Sequence, residues 1–113
     1  MGLFSPIKSI DARHAAELLG SGETVLVDVR QDIEWKQEHI AGAFHIPLAQ
    51  VSHRAHELPA GKTVITICRS GHRSALAARM LRRAGYQVEN LRGGIRSWAE
   101  AGLPLQKRSG NVP

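Results

Sequence analysis

Thr63-Val64-Ile65-Thr66-Ile67-Cys68-Arg69-Ser70-Gly71-His72-Arg73-Ser74 is the stretch on which the reading of this chain turns. Its first five residues are apolar or β-branched, the composition of a strand buried within a sheet. A polar loop follows, and then a helical spacing that runs to about Ala84. Leu76, Ala77, Met80, Leu81 and Ala84 share one expected face of that helix, and Arg73, Arg79, Arg82 and Arg83 lie largely on the other. Cys68 stands at the junction. A thiol there faces the free N–H groups of a helix start, with Arg69, His72 and Arg73 around it, surroundings that favour the reactive thiolate. The same donors and cations suit a bound anion. Gly71 lets the loop close on a ligand. Ser70 and Ser74 add hydroxyl donors, although Ser74 equally fits an ordinary place in the first helical turn. A lone free cysteine is usually a small buried hydrophobe, but that role would put it inside the apolar strand and not at its exit.

Outward from this stretch the chain alternates between strand and helix signals. Ile7 to Ile10 reads as a short first strand, and Asp11 caps a helix through about Leu19 that Gly20 and Gly22 stop. Val25-Leu26-Val27 reads as a strand buried on both faces, leading into Asp28-Val29-Arg30. A short helix from about Asp32 to Glu38 follows, then a strand at Phe44-His45-Ile46 closed by Pro47. Leu48 to Leu58 is weakly helical, and Pro59-Ala60-Gly61 makes a turn. After the Cys68 helix, Gln87 to Leu91 gives the last strand, and Gly93-Gly94 leads into a final helix containing Trp98. The pattern predicts a small parallel α/β sheet of about five strands with helices on both faces. Ligands of such sheets bind beyond the carboxyl ends of the strands, where Cys68 and Asp28 would share one mouth.

The 113 residues suit one domain, with a core over about 8–105 and a polar, frayed tail over 106–113. A formal charge of +5 raises a nucleic-acid reading, but aromatic residues are only 4% and no dense basic run appears. A positive surface that attracts small anions fits better, and no nucleic-acid partner is expected. One cysteine cannot close an internal disulfide. Met1-Gly2-Leu3-Phe4-Ser5-Pro6 lacks the basic and apolar regions of a signal peptide, and Pro6 breaks the acylation pattern after Gly2. No apolar run reaches membrane-spanning length. The expectation is a cytoplasmic protein without a membrane association.

Three separated blocks resemble the rhodanese-like sulfurtransferases. The first is Val27-Asp28-Val29-Arg30, Glu34-Trp35, Glu38-His39-Ile40-Ala41-Gly42-Ala43 and Ile46-Pro47. The second is the Cys68 loop, and the third is Leu91-Arg92-Gly93-Gly94-Ile95 with Trp98 and Gly102-Leu103-Pro104. The resemblance covers about Ile10 to Leu105, with one departure: Glu38 stands where the family usually has Gly. It implies that Cys68 attacks the outer sulfur of thiosulfate, expels sulfite and carries a persulfide to cyanide, a thiol or a sulfur-accepting protein. Loop N–H groups from Arg69 to Ser74 would cradle the persulfide, while Arg69, His72 and Arg73 attract the anionic donor. No metal and no cofactor enter this reading.

Two other classes fit part of the same pattern. Cysteine-dependent phosphatases and arsenate reductases share the strand–Cys–loop–helix arrangement, but those phosphatases carry arginine at the sixth position after the cysteine. Here that position is Ser74, and Arg73 is at the fifth. A non-catalytic binding module is the third class. Asp28, Arg30, Glu34 and His39 belong to the site or brace it; an Arg30–Glu34 pair along the short helix favours bracing. His53 and His56 read as surface residues and not a metal site. Trp35 and Trp98 read as core or edge packing.

Overall fold

The computed structural model describes residues 5–108. Residues 1–4, on which the leader and acylation readings rest, and residues 109–113 of the tail lie outside that range. The elements in chain order are β1 (Lys8–Ile10), α1 (Ala12–Gly20), β2 (Thr24–Asp28), α2 (Asp32–Gln37), β3 (Glu38–His39) and β4 (Phe44–His45). A run of short helical turns follows, with α3 (Val51–Arg54) between 3-10 turns at Leu48–Gln50 and Ala55–Glu57. Then come β5 (Thr63–Ile67), α4 (His72–Arg83), β6 (Gln87–Leu91), α5 (Gly94–Glu100) and β7 (Gln106–Lys107). Asp11 caps α1 as expected, its carboxylate accepting from the His14 N–H at 2.8 Å.

Five strands form one parallel sheet in the order β1-β6-β5-β2-β4. Its middle strand, β5, is flanked by β6 and β2, so the chain emerging from it leaves near the centre of the carboxyl edge. Alternation of side chains divides the core in two. Leu26, Ile65, Ile67 and Leu91 pack with Ala15, Ile95 and Trp98 on the α1/α5 side. Val27, Val64 and Cys68 pack with Val51, Ala77 and Leu81 on the α3/α4 side. Both faces of the sheet are thus covered.

Two expectations need correction. The first concerns the buried face of α4, which is Ser74, Ala77, Ala78 and Leu81, whereas Leu76 and Ala84 are exposed. Ser74, Ala77 and Ala78 line the close approach of helix to sheet, and Leu81 and Met80 pack beyond them, so Leu76 falls outside the core-facing stripe. The second concerns the tail: Gln106 and Lys107 are not frayed but pair antiparallel with His39 and Glu38. This two-stranded ribbon holds down the end of α2, and it is too short to show any periodicity in the sequence.

Candidate active site

Cys68 follows directly on β5 and is buried, 1% exposed. Its sulfur accepts the Gly71 N–H at 3.0 Å and the Ser74 hydroxyl at 3.3 Å. Gly71 makes this possible: its φ of 113° folds the backbone back under the sulfur, a conformation that L side chains rarely adopt. The loop is pinned on three sides. From α5, the Ile95 N–H donates to the Cys68 carbonyl at 2.8 Å and the Arg96 N–H to the Arg69 carbonyl at 3.3 Å. Gly94 allows that approach, because a Cβ there would collide with the carbonyl oxygens of Cys68 and Arg69. From β5, the Thr66 hydroxyl donates to the Ser74 carbonyl at 2.9 Å. From β6, the Asn90 amide donates to the Gly71 carbonyl at 3.0 Å.

Burial of the Cys68 thiol works against ionisation, and it is the largest single influence on that group. Hydrogen bonds from the Ser74 hydroxyl and from the backbone of Ser74, Gly71 and Ser70 outweigh it together, so the thiol lies below its ordinary pKa. Of the two influences expected from the sequence, N–H and hydroxyl donors on one side and flanking cations on the other, the donors lower the thiol pKa.

Arg73 does not stand free at the mouth. Its guanidinium makes a bidentate pair with Glu34, at 2.6 and 2.9 Å. This contact holds the Glu34 carboxyl far down, at about 2. The expected Arg30–Glu34 pair is corrected accordingly. Arg30 instead grips Asp28 at the end of β2, with its Nη2 2.9 Å from Asp28 Oδ2, and donates to the Glu38 carbonyl at 2.7 Å. Asp28 and Arg30 are both buried, and Asp28 sits opposite Ile67 in the β2–β5 register, next to the cysteine. Mutual satisfaction of a buried ion pair is a bracing role. His39 is also tied locally: its ring stacks on Trp35 at 3.7 Å and its Nδ1–H donates to the Trp35 carbonyl at 2.8 Å. His45 stacks on the same indole at 4.6 Å. Trp35 is therefore edge packing among histidines, while Trp98 is buried in the core.

Arg69, Ser70 and His72 are exposed on the loop. Arg69 also lines a cleft of about 470 Å³ with Arg30, Glu34, Glu38, Arg96 and Glu100. His53 and His56 are exposed surface residues. Sequence reasoning missed Thr66, Asn90 and Gly94 as supports of the loop. Of these, only Gly94 carried a signal, since a paired glycine at a helix start marks a close backbone approach.

The fold and site together define a parallel α/β protein that presents one activated cysteine in a donor-lined loop between a strand and a helix. Residues 11–101 match the rhodanese-like domain, and the chain belongs to that family. It is 40% identical over 101 residues to a sulfurtransferase of Allochromatium vinosum, covering 88% of this chain and 94% of that protein. Among solved structures it resembles a rhodanese-related protein from Thermoplasma volcanium, with a TM-score of 0.81 at 31% identity over 88% of this chain and 97% of the other. It also resembles thiosulfate sulfurtransferase from Pseudomonas aeruginosa, with a TM-score of 0.79 at 30% identity over 95% of this chain but only 22% of that one.

Proposed function

We propose that this protein is a single-domain cytoplasmic sulfurtransferase working through a persulfide on Cys68. The observation that carries the reading is the sulfur of Cys68 held by the Gly71 N–H and the Ser74 hydroxyl at the carboxyl edge of the sheet. Those donors stabilise a thiolate before reaction and an anionic persulfide after it. Relatives described as sulfurtransferases support the reaction class, and the likeness to a thiosulfate sulfurtransferase supports an anionic sulfane-sulfur donor.

The chemistry is covalent catalysis in two steps. The Cys68 thiolate attacks the outer sulfur of thiosulfate, a new S–S bond forms, and the old one breaks with its electron pair leaving on sulfite. A thiol or cyanide then attacks the outer sulfur of the persulfide, and Cys68 departs as thiolate. Arg69 and His72, exposed on the loop, attract the donor, and Ser70 adds a hydroxyl beside them. Arg73 acts differently from the free cation its position suggested: paired to Glu34, it holds the loop to α2. The phosphatase alternative loses support for the same reason, since the one loop arginine near the sixth position is already occupied and Ser74 is turned to the sulfur.

Intact-mass measurement after thiosulfate treatment tests the reading. A gain of one sulfur atom, removable by cyanide and absent in Cys68→Ser, is the expected result. No adduct, together with hydrolysis of p-nitrophenyl phosphate, would overturn it in favour of the phosphatase class.

A further inference from the structure

The core-facing side of α4 leaves an opposite stripe made of His72, Leu76, Arg79 and Arg83, all four exposed. Their spacing of four, three and four residues keeps them on one line along the helix. The stripe begins at the Cys68 loop and runs about 16 Å along the surface, from eleven residues of helical rise. It is basic without a counterweight: α4 contains no Asp or Glu. Arg79 and Arg83 have no ion-pair partner among the described residues, in contrast to Arg73, which Glu34 holds. Leu76 is 47% exposed and Ile33 66%, the two exposed large hydrophobic side chains among the described residues. Leu76 lies one helical turn beyond Arg73, whose guanidinium Glu34 holds, and Ile33 precedes Glu34 on α2.

We infer that this stripe is the docking surface for a protein acceptor whose thiol is surrounded by acidic side chains. The inference rests on the sulfurtransferase reading and names the acceptor class of the same site. Charge complementarity selects the acidic partner. The exposed apolar Leu76 among the positive charges favours a protein over a nucleic acid, since the stripe carries no Phe, Tyr or Trp on which a base could stack. So small a patch suits a brief encounter, which a carrier that must release its product requires. In the docked complex the partner's thiolate attacks the outer sulfur of the Cys68 persulfide, the S–S bond to Cys68 breaks, and the electron pair returns to the Cys68 sulfur. The transferred sulfur stays on the partner as a persulfide, with no oxidant or reductant consumed.

The test uses the full chain, loaded with thiosulfate and checked for its persulfide by intact mass before transfer is followed. Absence of loading at that first stage would count against the sulfurtransferase reading itself. Two helical peptides serve as acceptors, one with a single cysteine among glutamates and one with lysines in their place. Their thiolate fractions are matched by setting the pH for each. At low salt the acidic peptide is expected to be discharged about tenfold faster, the scale of electrostatic steering, and the preference should fade as salt approaches about 0.5 M. Arg79→Glu with Arg83→Glu should abolish the preference, and Leu76→Ser should slow the acidic peptide, while discharge by cyanide stays unchanged in all variants. Equal rates for both peptides, or a preference that survives the arginine reversals, would overturn the docking surface. So would a uridine oligonucleotide that blocks transfer more strongly than polyglutamate of equal charge.

Discussion

The guanidinium of Arg73 lies 2.6 and 2.9 Å from the two carboxylate oxygens of Glu34, joining the first turn of α4 to α2 across 39 residues of sequence. Glu34 is the third residue of α2, and its Oε1 also accepts the Gln31 N–H at 3.0 Å. One carboxylate therefore caps a helix and anchors the loop that carries Cys68. In the proposed mechanism Arg73 then positions the loop, and the exposed side chains of Arg69 and His72 are left to meet an incoming donor.

Glu34→Gln is expected to lower stability at neutral pH by about 1 to 2 kcal/mol, a value reduced for solvent screening because the two side chains are 24% and 35% exposed. The sign with pH follows from the depressed carboxyl, about 2 in the folded protein against an ordinary 4.5. The stabilisation is present above the ordinary value and is lost as pH falls from there towards 2. Urea melts of both proteins from pH 7 downward should show the two curves converging in that window. A gap that stayed constant down to pH 2 would mean that the charge pair does not stabilise the fold.

Cys68→Ser should abolish transfer of sulfur from thiosulfate to cyanide, by at least ~10³-fold, because a serine hydroxyl forms no persulfide. The fold should survive: the replacement is nearly the same size in a site that already supplies two donors to that atom. Thermal melts within about 4 °C of the parent are expected, under 1 kcal/mol for a domain of this size. Normal turnover in this variant would remove Cys68 from the mechanism.

Ser74→Ala removes the hydroxyl that donates to the buried Cys68 sulfur. The alkylation of Cys68 by iodoacetamide, followed against pH, should shift to higher pH, because the Ser74 hydroxyl is the largest of the hydrogen bonds that lower the thiol pKa. Ser74 is fully buried, so the variant leaves a small cavity and no solvent donor takes over. An unchanged alkylation profile would assign the low thiol pKa to the backbone donors alone.

Gly94 and Gly71 are both in left-handed backbone, at φ of 62° and 113°, yet they should respond unequally to alanine. At Gly71 the added carbon meets its nearest neighbour at 3.7 Å, so the cost is conformational, about 1 to 2 kcal/mol. At Gly94 the carbon meets two carbonyl oxygens of the cysteine loop, and a loss of more than about 3 kcal/mol is expected. Denaturant midpoints of the two variants decide the order, and a Gly94→Ala protein no weaker than Gly71→Ala would show that α5 can move away from the loop.

What could be read from the chain before any coordinates follows the range of the forces involved. The Cys68 loop was legible because strand, cysteine, glycine and helix start are contiguous, and the parallel sheet because strands and helices alternate. The face of α4 was misassigned only at its edges: Ala77, Met80 and Leu81 do pack on the core, but Leu76 and Ala84 are more apolar by residue type than Ser74, which the helix in fact buries. The choice of partner for Glu34 failed for a different reason. Arg30 is four residues away and Arg73 is 39, and only the fold shows that Asp28 has already taken Arg30. Thr66 gave no signal, since threonine is common in strands, and Asn90, although asparagine is uncommon there, named no partner until the loop above it was placed.

Asn90 offers the last prediction. Its amide donates to the Gly71 carbonyl, and its oxygen lies 3.3 Å from the Thr66 hydroxyl, so one side chain on β6 ties the strand below to the loop above. The Gly71 carbonyl also accepts the Ala75 N–H, so Asn90→Ala should cost only about 1 to 2 kcal/mol of stability. Loosening the loop should nevertheless slow Cys68 alkylation, since Gly71 supplies one of the sulfur's two geometric donors. Asn90→Asp separates positioning from packing: it keeps the shape, loses the donor and adds a negative charge near the sulfur. Its alkylation profile should therefore move to higher pH than that of the alanine variant. If both variants alkylate along the parent profile, Asn90 supports the sheet and not the thiolate.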